Sequence, residues 1–131
     1  MHRVLHPPLW PKASGYSNGV SARGTQIFVS GQIGWNQAQE FESDDFVGQV
    51  DQALQNVVAV MKEGGALPEH LVRMNWYVVS KDLYVNNLQK IGEVYRRVIG
   101  RHYPAMSCVV VAALIEARAL VEIEVTAVVP D

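Results

Sequence analysis

Leu120-Val-Glu-Ile-Glu-Val-Thr-Ala-Val-Val129 alternates along its length. Val121, Ile123, Val125 and Ala127 fall on one side of an extended chain, and Glu122, Glu124, Thr126 and Val128 on the other, because successive side chains of a strand point to opposite faces. The segment therefore predicts a strand with one packed and one largely polar face. Leu71 to Ser80 has the same form, with Val72, Met74, Trp76 and Val78 on one face and Arg73, Asn75 and Tyr77 on the other. Two further apolar stretches predict strands: Gln26 to Ser30, closed by Gly31 and Gly34, and Ser107 to Leu114.

Two helices separate these strands. Ser43 announces the first, with Asp44 and Asp45 in its first turn at the positive end of the dipole. Its apolar stripe is Phe46, Val50, Ala53, Leu54, Val57 and Met61, spaced by threes and fours, and Gly64-Gly65 stops it. The second begins near Asp82 and carries Leu88, Ile91, Val94, Tyr95 and Val98 inward, with Gly100 ending it and Pro104 preventing continuation. Residues 1–14 read as an extended N-terminal arm, because Pro7, Pro8 and Pro11 each remove a backbone donor.

Right-handed strand-helix-strand crossovers put both helices on one face of one mixed sheet. The chain is thus expected to be a single α/β domain over residues 1–131. Its other sheet face mixes Arg73, Asn75, Tyr77, Glu122 and Glu124 with apolar neighbours, a surface more readily buried against another copy than left in water.

Composition bounds the function. Of 131 residues, 49% are apolar and 18% charged, enough core to need neither disulfides nor a structural metal. One cysteine and a proline-bearing N-terminus without an apolar leader point to a reducing, cytoplasmic setting. No uncharged stretch is long enough to cross a bilayer. A formal net charge of −2 argues against a protein whose affinity comes from neutralising phosphates, so nucleic acid is not the expected partner. The basic run Arg96, Arg97, Arg101 and His102 lies at a predicted helix C-terminus, where cations offset the macrodipole; an anion or nucleic-acid patch is the alternative.

No metal site is expected: His2, His6, His70 and His102 lack ligand spacing, and there is no second cysteine. No cofactor motif occurs either; Gly31-Gln-Ile-Gly34 is only a fragment of a phosphate loop. Glu122 and Glu124 share one strand face, either shielded and coupled for proton transfer or simply paired with Arg73 or Arg118. Trp35 is a surface-loop anchor or a pocket wall. Cys108 reads as a small buried hydrophobe rather than a nucleophile, since no base is placed to deprotonate it.

Several segments in this order and spacing resemble the RidA/YjgF family. They are Gly15-Tyr16 before Asn18-Gly19-Val20, Val29-Ser30-Gly31-Gln32-Ile33 with Asn36, Val78 to Leu83, Tyr103-Pro104-Ala105, Ser107-Cys108-Val109 and Val121-Glu122-Ile123-Glu124. The resemblance covers about Tyr16 to Val129. It implies a chorismate-mutase-like fold, a homotrimer and small-molecule clefts between neighbouring subunits. Active members hydrolyse enamines and imines to a carbonyl compound and ammonia. The family glutamate that serves the water matches Glu122, whereas the position of the arginine that clamps the substrate carboxylate is occupied by Met106. Tyr16, Ser30, Gly31, Trp35 and Cys108 match cleft-lining positions or their neighbours, and with Met106 and Trp35 the cleft is expected to be more apolar than the family norm. Arg73 or another arginine is the expected substitute clamp. Two functions follow from this resemblance: an enamine or imine deaminase, perhaps for aminomuconate-like intermediates, or a non-enzymatic trimer that binds a small metabolite and regulates a partner. An endoribonuclease or translation-inhibitor activity attaches to some members, and the acidic balance speaks against it.

Overall fold

The computed structural model describes residues 2–131. Near the N-terminus, β1 (Arg3–Leu5) pairs antiparallel with β2 (Gly19–Ser21). The arm is therefore tied down by a strand the sequence did not reveal, and the prolines that follow β1 stop the ladder. The main sheet contains β3 (Thr25–Ile33), β4 (Leu71–Val78), β5 (Ala105–Val110) and β6 (Val121–Val129) in the order β3-β6-β4-β5. β6 runs antiparallel to both its neighbours, while β4 and β5 are parallel. The sheet is mixed, as expected.

Its boundaries differ from expectation in three places. β3 does not close at Ser30 but runs on to Ile33, with a register shift against β6 between Val29 and Gln32 that absorbs Ser30 and Gly31; such a bulge bends a strand without ending it. A second shift between Leu71 and Arg73 buries Leu71 where Val72 was expected. β5 starts at Ala105 and ends at Val110, so the apolar residues beyond it are not strand.

The helix α1 (Phe46–Glu63) buries every member of its predicted stripe. Each such side chain contributes about 1.5–3 kcal/mol on leaving water, so this face anchors the helix to the sheet. Its start is later than expected. Asp45 is the cap, accepting from the Gly48 amide at 3.0 Å, while Ser43 accepts from the Asp45 amide at 3.0 Å, so neither Asp44 nor Asp45 lies in the first turn. The single helix expected from Asp82 is two, α2 (Lys81–Val85) capped by Ser80, and α3 (Leu88–Val98). The break has a local cause: the Asn87 side chain donates to the Leu83 carbonyl at 2.6 Å, taking an acceptor that a continuous helix gives to backbone.

Met74, Trp76 and Val78 of β4 and Val121, Ile123, Val125 and Ala127 of β6 are buried with α1 and with Ile91, Val94 and Tyr95 of α3 in one core. Leu88 departs from this pattern and is exposed. The opposite sheet face carries no helix among the described residues, and Phe28 and Val109 stand exposed on it.

Candidate active site

Strand register sorts the predicted site residues onto two faces. Tyr77 lies opposite Glu122, Asn75 opposite Glu124 and Arg73 beside Thr126, all on the helix-free face. Met106 lies opposite Met74, and Cys108 opposite Trp76. Because Met74 and Trp76 point into the helix-covered core, Met106 and Cys108 belong to that side, at the free edge of β5. Within one chain, Glu122 and Met106 do not share a site.

On the helix-free face the two glutamates are in different states. Glu124 accepts from the Asn75 side chain at 3.2 Å and from the Tyr77 hydroxyl. That hydrogen bond, aided by burial and by the charges of Glu124 and Glu122, pushes the Tyr77 phenol up, so it stays protonated and keeps donating. Glu122 is half-buried and has no side-chain hydrogen bond or ion pair among the described residues. Its carboxylate lies over Gly31, where an added Cβ would stand 2.2 Å from Oε2. The bulge thus brings bare backbone against the acid. Neither glutamate pairs with arginine: Arg118 holds Asp44 at 2.8 Å, and Arg73 forms no salt bridge among the described residues. Arg73 instead lines a shallow hollow of about 440 Å³ with Phe28, Ser30, Asn75 and Glu124. It lies on the face of Glu122, opposite the Met106 groove of its own chain.

The other side holds a groove of about 810 Å³ between β5, α3 and the loop before β2. Met106, Cys108 and Tyr16 line it. Tyr16 is held there because Ser17 bonds to the Pro104 carbonyl through its amide, at 3.0 Å, and to the Tyr103 carbonyl through its hydroxyl. Leu88 also lines the groove, which accounts for its exposure. Cys108 is not the buried hydrophobe expected, because β5 is an outermost strand and leaves the residue exposed. Its thiol end nevertheless turns toward Tyr84, and desolvation pushes its pKa up against the lowering effect of the Tyr84 hydroxyl. A thiol so placed is a poor nucleophile at neutral pH.

Trp35 lines neither cavity. It packs on Phe41 with ring centroids 5.9 Å apart, and Arg118 lies over the same Phe41 ring at 5.3 Å, so Trp35 anchors the loop between β3 and α1. Gln49 is a site-supporting residue that the sequence reading missed. Fully buried within the apolar stripe, it donates to the carbonyls of Ser43 at 3.1 Å and Arg118 at 3.0 Å and accepts from the Leu120 amide at 2.8 Å. It fixes the entry to β6 two residues before Glu122. Among the described residues no group of three or more His, Cys, Asp or Glu side chains is gathered for a metal, and no helix is long and apolar enough to cross a membrane.

These features define a small α/β protein with an unpaired carboxylate on its open sheet face and an aromatic groove at its sheet edge. The family described as Endoribonuclease L-PSP matches residues 10–129. The chain is 32% identical over 124 residues to the 2-iminobutanoate/2-iminopropanoate deaminase of Dermatophagoides farinae, covering 93% of this chain and 92% of that one. Among solved structures it is similar to YyfB of Yersinia pestis, a protein of unknown function in the conserved Rid family, at 30% identity and a TM-score of 0.85 over 98% of both chains. It is also similar to E. coli TdcF with bound serine, at 30% identity and a TM-score of 0.68 over 97% of this chain and 98% of that one. The chain belongs to the RidA/YjgF family.

Proposed function

We propose that this protein hydrolyses small enamines or imines, aminomuconate-like or related, at sites formed between copies of a homotrimer. The observation that carries the reading is Glu122: a half-buried carboxylate, free of partners among the described residues, held over Gly31 beside an open sheet face. Its neighbour Glu124 is occupied by Tyr77 and Asn75, so Glu122 is the acid available to water. The exposed Phe28 and Val109 give the same face an apolar surface suited to another copy. A neighbour would then bring its Met106 groove to the Glu122 of the first chain, joining residues that one chain keeps on opposite faces. The similarity to a named 2-iminobutanoate/2-iminopropanoate deaminase supports the same chemistry.

In this reading Glu122 takes a proton from water as the oxygen bonds to the imine carbon and gives it to the nitrogen of the resulting carbinolamine. It then carries the remaining hydroxyl proton to that nitrogen as the carbonyl forms and the carbon–nitrogen bond breaks, so that both water protons leave with ammonia. Trapping of the free imine by semicarbazide measures the reaction: wild type should lower semicarbazone formation, and Glu122→Gln should not. Full turnover in folded Glu122→Gln would remove Glu122 from the mechanism. Met106 favours a second reading, a metabolite-binding regulatory trimer, because a thioether supplies no charge for a carboxylate. Ligand binding without any wild-type turnover would select it.

A further inference from the structure

The groove at Met106 is not short of positive charge. Lys12 from the N-terminal segment, Arg96 from α3 and Arg101 from the turn after it all line this cavity, and among the described residues no Asp or Glu does. None of the three forms a salt bridge among the described residues. Arg96 lies across Gly92, whose missing side chain leaves room for it: a Cβ there would stand 3.2 Å from Nη1. Five aromatic side chains, Tyr16, Trp76, Tyr84, Tyr95 and Tyr103, share the lining. Tyr103 stacks on Tyr95 with centroids 5.4 Å apart and planes 11° from parallel, and Trp76 meets Tyr84 edge-on at 6.2 Å. Trp76 is 3% exposed, and its indole Nε1 has no hydrogen-bond partner among the described residues, a donor that a ligand oxygen would satisfy.

We infer that this groove selects organic anions with a flat or bulky apolar body, the anion held by Arg96 and Arg101 and the body by the tyrosines. Guanidinium groups hold carboxylates through paired donors, and aromatic faces take up a ring at little entropic cost. The groove's about 810 Å³ is in the range of drug-sized ligand cavities, far beyond what a three-carbon imino acid fills. The inference deepens the proposed function by naming its substrate class, and it rests on the same groove being the ligand site.

Binding is measured without turnover, on the intact wild-type assembly, by calorimetric titration with phenylacetate, its neutral isostere phenylacetamide, and acetate. Phenylacetate should bind about ten-fold or more tighter than either, because only it offers both charge and ring, and added salt should weaken it. Arg96→Gln with Arg101→Gln should abolish the preference for phenylacetate over phenylacetamide; both side chains are exposed, and circular dichroism should show the fold retained. Equal affinity for acid and amide, or an unchanged preference in the double variant, overturns the inference. Glu122→Gln keeps the two readings apart. If it loses hydrolysis while phenylacetate binding stays intact, both hold; if wild type hydrolyses small imines with no preference for phenylacetate, only the substrate class falls. Arginine-dependent phenylacetate binding without any wild-type hydrolysis leaves the ligand class standing and removes the deaminase.

Discussion

Replacing Gln49 by methionine keeps most of its volume and removes all of its hydrogen-bonding capacity. Gln49 is fully buried and serves three backbone groups, the Ser43 and Arg118 carbonyls and the Leu120 amide. A buried polar group stripped of its partner costs roughly 1–3 kcal/mol. Taking the lower part of that range for each of three groups, the loss is about 3–5 kcal/mol. A domain of this size is stable by about 5–15 kcal/mol in all, so the variant should be near its folding threshold. Urea denaturation followed by circular dichroism, at one fixed protomer concentration because assembly is linked to stability, gives the difference directly. Gln49→Glu separates hydrogen bonding from packing. Its ionised form keeps an acceptor for Leu120 but faces two carbonyls, which raises its pKa in the folded state. That variant should therefore be less destabilised at about pH 5 than at about pH 7, because a group whose folded pKa is raised loses stability as pH climbs through it. A loss below about 1 kcal/mol in Gln49→Met would refute the view that these three bonds fix the entry to β6.

Gly31→Ala places a methyl group 2.2 Å from the Glu122 carboxylate oxygen, so turnover should fall about ten-fold or more through misplacement of that acid, with little change in melting temperature; unchanged turnover would mean that its position over Gly31 is immaterial. Met106→Arg puts a guanidinium into the groove, and kcat/KM for 2-iminopropionate-type substrates should rise about ten-fold or more; the gain should vanish when Glu122→Gln is added. Cys108→Ala should cost no more than about 1–2 kcal/mol and leave turnover within a few fold. Because desolvation raises the Cys108 pKa, its thiolate population at neutral pH is reduced, and the pH midpoint of its alkylation should lie above that of a free cysteine in the same buffer.

What the sequence revealed was what periodicity encodes. The stripe of α1 and the alternation of β6 were legible because burial imposes a three-to-four or a two-residue spacing on many consecutive residues. The break between α2 and α3 was not, since it depends on one asparagine side chain reaching a carbonyl one turn away. Gln49 interrupts an apolar stripe and reads as a solvent-facing position until the loop it stitches is seen. The candidate site was half legible. Glu122, Gly31, Met106, Tyr16 and Cys108 came from the resemblance, but their division between two faces follows from the pairing of β4 with β5 and β6, which no local pattern states. That Arg73 shares the face of Glu122 and not the groove of its own chain's Met106 follows from the same pairing. Lys12, Arg96 and Arg101 converge from separate segments; at the sequence level the two arginines read first as partners of the helix dipole, with an anion or nucleic-acid patch as the alternative.

The shared site can be tested by mixing two disabled chains. Glu122→Gln lacks the acid, and Met106→Glu places an anion where the substrate carboxylate would bind. Each variant assembled alone should be inactive in the semicarbazide assay. Co-refolded in equal amounts, they should recover about a quarter of wild-type turnover, because random assortment in a symmetric ring gives that share of interfaces an intact Glu122 facing an intact groove. Sedimentation and native mass spectrometry confirm that mixed trimers have formed. No recovery from verified mixed trimers would contradict a site built from Glu122 of one copy and the Met106 groove of the next.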